Sequence, residues 1–437
     1  ASITERPVVI GFGPCGLFAA LILAQMGFKP IVLERGKDVR RRTKDTWALW
    51  RKHELSPESN VQFGEGGAGL FSDGKLYSQI KDPKFYGRKV MHEFVRAGAP
   101  EEILFVSKPH IGTFRLTGVV AKMREEIIAL GGEIRFESKV TEVTLSDGRV
   151  NGVTLENGEY IVSRYVILAL GHSARDTFRM LHQQGVYVEA KPFAIGFRIE
   201  HPQSLIDRAR LGKYAGHPEL GAADYKLVHH AKNGRAVYSF CMCPGGMVVA
   251  ATSEPGRVVT NGMSQYSRNE RNANSGIVVG ISPEQDFPGG PLAGVELQEQ
   301  LESKAYELGG QDYCAPAQLV GDFIRSEPST ALGEVEPSYQ PGIKLGDLAP
   351  SLPTYAIDAI REALPAFGKQ IRGFDRADAI LTGIETRTSS PIRIKRNNAT
   401  LQSINTRGLY PAGEGAGYAG GILSAGVDGI KVAEALA

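Results

Sequence analysis

The chain has 437 residues, more than the roughly 150 that one core needs, so its length predicts two or three compact regions. Lys and Arg total 50 against 48 Asp and Glu, and 42% of residues are apolar, which excludes a largely disordered chain. The near-balance of charge gives no field that singles out nucleic acid or an acidic membrane surface as a partner.

The longest uninterrupted apolar run, Cys15 to Ala24, is well short of the ~18 residues that suggest a membrane span. Four cysteines are too few for a disulfide scaffold, and no basic-then-apolar signal precedes Arg6, so a cytoplasmic protein without a membrane partner is expected. The chain opens without Met and enters an apolar run within ten residues, so a further domain upstream of Ala1 is also an expectation. Glycine is the outlier at 52 residues, about 12% against a usual ~7%. Its excess sits in clusters, where backbone must approach something closely.

Pro7 to Ile10 reads as a short buried strand, Gly11-Phe-Gly-Pro-Cys-Gly16 as a tight turn and Leu17 to Met26 as an apolar helix. A second strand, Pro30 to Leu33, ends in Glu34. This order is a dinucleotide fingerprint: Gly11 allows the turn, Gly13 lets backbone approach a pyrophosphate, and Gly16 lets helix and strand pack closely. Pro14 and Cys15 open the helix, whose N–H groups and positive dipole end face the phosphates. Cys15 reads as a small filler beside the cofactor. Glu34, 23 residues after Gly11, is placed to accept ribose hydroxyls, with Arg35 beside it as a further cofactor contact. NAD and FAD both satisfy this first site.

Asp38 to Leu55 reads as an amphipathic helix carrying both tryptophans, Trp47 and Trp50, and a basic face of Arg40 to Arg42. Two further glycine-rich segments follow. One is Phe63-Gly-Glu-Gly-Gly-Ala-Gly-Leu-Phe-Ser-Asp-Gly-Lys-Leu76, with Gly67, Gly69, Ser72, Asp73 and Lys75; the other runs from Gly408 to Gly426, with Gly413, Glu414, Gly420, Gly421 and Ile422. Loops so poor in side chains suit a cofactor longer than NAD, one whose ribityl chain and flat ring also lie against backbone. FAD meets that demand. Asp147-Gly148 and Asn157-Gly158 mark hairpins in a β-meander between Glu133 and Leu170, and a buried strand then ends at Gly171.

From about residue 185 to 400 the chain alternates β-rich runs with helices near Val295 to Leu308 and Thr354 to Phe367. No second fingerprint occurs there, so NADH or NADPH is expected only as a transient donor. The fold class expected is α/β. A Rossmann-like FAD-binding domain with a β-meander insertion is built from residues 1–184 and 400–437, and a second, β-rich α+β substrate domain spans residues 185–399.

Together these segments resemble a bacterial family of uncharacterised FAD-dependent dehydrogenases, within the two-domain flavoproteins that include glutathione reductase and p-hydroxybenzoate hydroxylase. The likeness extends to Lys108-Pro-His-Ile-Gly-Thr113, Gly171-His-Ser-Ala-Arg-Asp176, Lys191-Pro-Phe-Ala-Ile-Gly196, Phe240-Cys-Met-Cys-Pro-Gly-Gly246 and Arg387-Thr-Ser-Ser-Pro391. It implies that Arg42 reaches the pyrophosphate, that the meander passes the adenine near Val140, and that Glu414 stands where many relatives carry Asp near the ribityl chain or the pyrophosphate. It also implies a last helix, Ile422 to Leu436, aimed at the flavin ring.

Five residues are candidates for chemistry or for anion binding. Cys241 and Cys243, two apart on one strand, present both thiols to one face, either as a redox pair or as two small buried residues lining a pocket or core. His110, in a turn, titrates near neutrality and is the candidate acid or base. Arg387, at the end of a strand, offers a fork of donors for an anion, and Lys75 can do the same or neutralise the FAD phosphates. No metal site is expected, because Cys241-Met-Cys243 has no matching cluster at zinc spacing. FAD is expected to be held non-covalently, since Cys15 faces phosphates rather than ring. The function expected is an FAD-dependent oxidoreductase moving a hydride or two electrons between a small organic substrate and the flavin. The alternatives are a flavin monooxygenase using NAD(P)H and oxygen, or a non-turnover flavin-binding or RNA-modification factor.

Overall fold

The computed structural model describes residues 5–437. In chain order the first part contains β1 (Val8–Ile10), α1 (Pro14–Gln25), β2 (Ile31–Leu33), α2 (Val39–Lys52), α3 (Tyr86–Arg96), α4 (Thr113–Ala129) and β3 (Glu133–Arg135). Then come β4 (Val140–Ser146), β5 (Arg149–Leu155), β6 (Tyr160–Val162), β7 (Val166–Leu168), α5 (Arg175–Gln183) and β8 (Val188–Ala190). The middle contains β9 (Phe193–Pro202), α6 (Gln203–Leu211), β10 (Val228–His230), β11 (Ala236–Ala250), β12 (Thr260–Ser264), β13 (Asn272–Ile281) and α7 (Ala293–Leu308). The last part has β14 (Ala315–Leu319), α8 (Val320–Arg325), β15 (Ile343–Leu345), α9 (Thr354–Gln370), β16 (Ile380–Glu385), β17 (Ile392–Ile394), β18 (Leu409–Pro411) and α10 (Ile422–Leu436).

The first sheet is parallel, in the order β18-β7-β1-β2-β3. Its central strands are the triplets Val-Val-Ile, Ile-Val-Leu and Val-Ile-Leu, each buried throughout, as strands covered on both faces must be. α1 is apolar around its whole circumference and is buried from Cys15 to Ala24. α10 packs against it so closely that a Cβ at Gly429 would lie 2.2 Å from the Cys15 carbonyl oxygen. The meander is a separate antiparallel sheet, β4-β5-β6. Asp147 and Gly148 turn its first hairpin with φ of 50° and 67°, the two positive values that a type I′ turn demands.

The second large sheet has eight strands, all from residues 193–385, in the order β10-β11-β13-β9-β16-β14-β15 with β12 paired to β11. β9 and β13 pair antiparallel without a break from Phe193↔Ile281 to Pro202↔Asn272. The sequence reads two runs around Pro244-Gly-Gly246, yet β11 passes straight through them as one 15-residue strand. Register shifts on either side of Cys243 absorb the proline and glycines. Tyr86–Arg96 is a helix that the sequence pattern did not mark. Among the described residues, no helix is long and apolar enough to cross a membrane.

Candidate functional site

An elongated cavity of about 430 Å3 runs from the end of β2 to the start of α10. At one end lie Glu34, Arg35 and Ser138 to Val140; in the middle lie the β1–α1 turn and Gly67 to Ser72; at the far end lie Lys75, Cys241, Arg387, Glu414 and Gly420 to Ala425.

Glu34 is buried, and its carboxylate accepts hydrogen bonds from the backbone N–H groups of Phe12 (2.9 Å), Gly36 (2.8 Å) and Gly64 (3.0 Å). It therefore ties β1, β2 and the first glycine loop together and keeps about one of its four acceptor sites for a ribose hydroxyl. Gly11, at φ 101°, has no room for a side chain: a Cβ would stand 2.1 Å from the Ala169 carbonyl oxygen. Gly16 is equally constrained, with a Cβ 2.0 Å from the Gly11 oxygen, so it serves helix–strand packing and does not line the cavity. Gly13 differs, because its φ is −76° and a Cβ would meet Gly67 only at 3.4 Å. The protein itself leaves that space, beside the first turn of α1, which contains Pro14 and no acid.

Cys15 is buried against Gly413, and burial followed by the Asp428 carboxylate pushes its thiol well above the ordinary range. Gly413 does not reach the cavity; its N–H donates to Asp428, which Arg396 grips with two bonds of 2.6 and 2.9 Å. Neither Asp428 nor Arg396 was marked in the sequence, since their pairing spans 32 residues with no motif.

Several expectations are corrected. Arg42 does not face the cavity: it is completely buried and donates to the carbonyls of Asn60, Val61, Gly64 and Glu65. Burial pulls its pKa down to about 10 despite Glu34 and Glu65, so Arg42 shapes the glycine loop from behind. Lys75 lies by Cys241 and donates to the Met242 carbonyl, so its charge is engaged by protein. His110 also misses the cavity: it is half-buried, stacks on Tyr266 and bonds the Tyr266 carbonyl at 3.0 Å. Burial, then the Arg268 charge, lowers its pKa, and its position suits it to fixing the loop at Lys75, with which it forms an isolated β-bridge.

Arg387 lines the cavity, but four of its hydrogen bonds go to protein: Glu302 twice (both 2.9 Å), Ser173 (3.0 Å) and Ser253 (2.7 Å). Glu302 is completely buried between Arg387 and Arg175, with Thr386 as a further donor. Burial opposes its ionisation, yet the two guanidinium groups hold the carboxyl well below the usual range. Arg387 is thus part of the wall rather than a free anion clamp. Asp73 and Arg35 line the cavity but are likewise engaged, Asp73 with Arg268 and Arg35 with Glu58 and Asp176.

Of the two strand cysteines, only Cys241 lines the cavity; Cys243 is fully buried behind it. Cys241 has φ 46° in the bulged part of β11, and the Cys243 thiol donates to the Cys241 carbonyl at 3.5 Å. The Cys243 contact, with the charges of Lys75 and Arg198, favours the Cys241 thiolate against the cost of burial. Arg198, buried and paired with Glu385 at 2.8 Å, also donates to the Cys241 carbonyl. Glu414 is half-buried at this end, and burial raises it to about 7 although Lys191 is near. Val140, Gly171, Gly420, Gly421 and Ile422 line the cavity. α10 begins there with no acid in its first turn, leaving a positive dipole end bare.

The cavity thus has a carboxylate and the Val140 strand at one end, a bare helix start with room at Gly13 in the middle, and a second bare helix start at the other. Adenosine, pyrophosphate and a ring that gathers negative charge on reduction fit those stations in order. Residues 192–388 match the family model described as FAD-dependent protein, C-terminal domain-like. Residues 52–191 match that of flavin containing amine oxidoreductase. An uncharacterised protein of Clostridium beijerinckii is 56% identical over 434 residues, which are 99% of this chain and 80% of that protein.

The chain belongs to the same family as that relative, among the FAD-dependent flavoproteins. It is an FAD-dependent oxidoreductase. Solved structures similar to this flavoprotein include CtdE in complex with FAD (15% identity, TM-score 0.37, 98% of this chain and 84% of that one). Glycine oxidase from Bacillus cereus has 12% identity and a TM-score of 0.36, covering 99% of this chain and 95% of that one. L-proline dehydrogenase from P. horikoshii has 14% identity and a TM-score of 0.39, covering 99% and 93%.

Proposed function

We propose that FAD lies along the 430 Å3 cavity with its adenine end toward Val140 and its ring toward α10, and that a small organic substrate enters an adjoining cavity of about 610 Å3. The observation that carries this reading is the junction: the two cavities share Phe240, Thr388 and Gly420, just before α10 begins. Residues 1–184 with 400–437 then act as the FAD domain and residues 185–399 as the substrate domain.

The second cavity is walled by Phe193, Tyr238 and Phe240, with the hydroxyls of Ser282 and Ser389. Its one cation, Arg235, is forked onto Asp286 at 2.6 and 2.8 Å, so no charge in the wall is unmatched. Aromatic sides and neutral polar groups suit an uncharged molecule with a flat or apolar body. The amine-oxidoreductase match covers residues 52–191, none of which lines this cavity, so it supports the flavin half and leaves the substrate class to the wall.

When bound, FAD supplies a ring that accepts or returns two electrons. The chain supplies the remainder. First-turn N–H groups of α10 would stabilise negative charge on a bound ring, and Glu414, with its pKa near 7, takes or gives a proton close to neutrality. Cys243, Lys75 and Arg198 together favour the thiolate of Cys241 beside the same space. NADH or NADPH is the proposed donor, docking transiently.

The test is an anaerobic titration of the flavin-loaded protein with NADH, NADPH and a dithiol. Bleaching of the flavin band by one nicotinamide supports the reading. Flavin that none of these, and no candidate substrate, reduces would contradict turnover and favour a binding role. Ser282→Trp should lower kcat/KM at least tenfold with flavin content unchanged.

A further inference from the structure

α2 ends at Lys52, and His53 caps it in the left-handed conformation, with Nδ1 bonded to the backbone carbonyl of Asp312. Such a bond to a carbonyl is what orients the ring in metal-binding histidines. Asp312 and Cys314 come from the turn between α7 and β14, 259 residues further along the chain from His53 in the case of Asp312. The Asp312 carboxylate accepts the Cys314 N–H at 3.0 Å, and the Cys314 thiol is half-buried and unbridged. One ligand atom from each of the three side chains lies within 4.8 Å of the other two.

We propose that His53, Asp312 and Cys314 form a site for a borderline transition-metal ion, Zn2+ foremost, with water in the fourth position. The donor set decides the class of ion. One nitrogen, one carboxylate oxygen and one sulfur suit tetrahedral Zn2+ or Co2+, whereas Mg2+ and Ca2+ take oxygen alone. Binding replaces the thiol proton by the metal and releases that proton to solvent. The expectation of no metal site came from spacing around Cys241, and no spacing rule reaches a cluster drawn from two such distant segments.

The place of the site gives it a consequence. α2 carries Arg42, whose guanidinium holds the first glycine loop, and Trp50, whose indole N–H donates to Ala250 of β11 at 2.9 Å. A metal at the end of α2 would join that helix to the start of β14 in the eight-stranded sheet, a second point of attachment. It acts as a cross-brace between the flavin loop and the substrate side, and the proposal does not depend on which substrate is used.

The experiment is a titration of the flavin-loaded protein with Co2+ alone, followed by Zn2+. The expected result is one equivalent of cobalt with d–d absorption at wavelengths beyond the flavin bands, displaced by Zn2+. His53→Ala and Cys314→Ser should each weaken cobalt binding tenfold or more while flavin content and Tm in the absence of metal stay at the wild-type values. Absence of the cobalt absorption overturns the proposal. So does binding that survives undiminished in both variants, or that disappears only in Cys241→Ser. Should Cys314→Ser fail to fold, His53→Ala alone decides, since His53 is exposed.

Discussion

Replacing Glu302 by Gln keeps the shape of the side chain and removes the charge from between two buried guanidinium groups. In the native protein its oxygens meet Arg387 at 2.9 Å twice and Arg175 at 2.7 Å, and all three side chains are nearly or fully buried. An amide can satisfy one arginine with its oxygen but turns its own donors toward the other. Breaking a buried pair of this kind costs about 3–5 kcal/mol, most of it the uncompensated charge left behind. With an unfolding entropy of about 2.1 cal/mol/K per residue, a chain of this length has roughly 0.9 kcal/mol/K in all, so Tm should fall by about 3–5 °C. Near-ultraviolet circular dichroism melts at 0.15 M and 1 M NaCl are the assay. Burial protects the pair from screening, so the loss should persist at high salt. A fall below 1 °C, or a loss that vanishes at 1 M NaCl, would refute the assignment of a desolvated Arg–Glu–Arg core.

His201 is completely buried, bonds the Phe374 carbonyl at 2.6 Å, and is lowered by burial to about 4. The unfolded chain takes up that proton first, so stability present above about pH 6.5 should be lost by about 3 kcal/mol as pH falls to 4; urea midpoints across this range check it, and His201→Gln should flatten the slope. Arg42→Leu should leave the Asn60, Val61 and Glu65 carbonyls without a donor and reduce flavin content severalfold although Arg42 does not line the cavity; equal flavin occupancy by absorbance would contradict its role. Iodoacetamide should alkylate Cys241 with a pH midpoint below the ordinary thiol range, and both Cys243→Ala and Lys75→Met should raise that midpoint; rates that ignore both substitutions would remove the thiolate from the account.

The parts of the site that follow local chain rules were legible in the sequence. Gly11, Gly13, Gly16 and Glu34 sit at fixed offsets along β1, α1 and β2, and Ile422–Leu436 begins where its glycine pair ends. The parts built by packing at a distance were not. Arg42 carries the same charge as its neighbours Arg40 and Arg41, and only the inward face of α2, set by the fold, turns it into a buried loop anchor. Arg387 looks like a free fork until Glu302, 85 residues away, fills it. His110 titrates near neutrality as a free residue, but the Tyr266 ring and carbonyl occupy it. The continuous β11 illustrates the same limit: Pro244 and two glycines read as a break, and the bulges that keep the strand whole depend on pairing to β13.

The measurement that bears most directly on the account is flavin occupancy of Gly13→Val. Gly13 has an ordinary φ, and a Cβ there meets nothing closer than 3.4 Å, so the fold has no need of glycine at this position; only a pyrophosphate against the first turn of α1 does. The account predicts that wild-type protein reconstituted with FAD carries one flavin per chain, while Gly13→Val is folded by circular dichroism and colourless. Gly13→Val protein that is yellow at full stoichiometry would contradict the placement of FAD in this cavity.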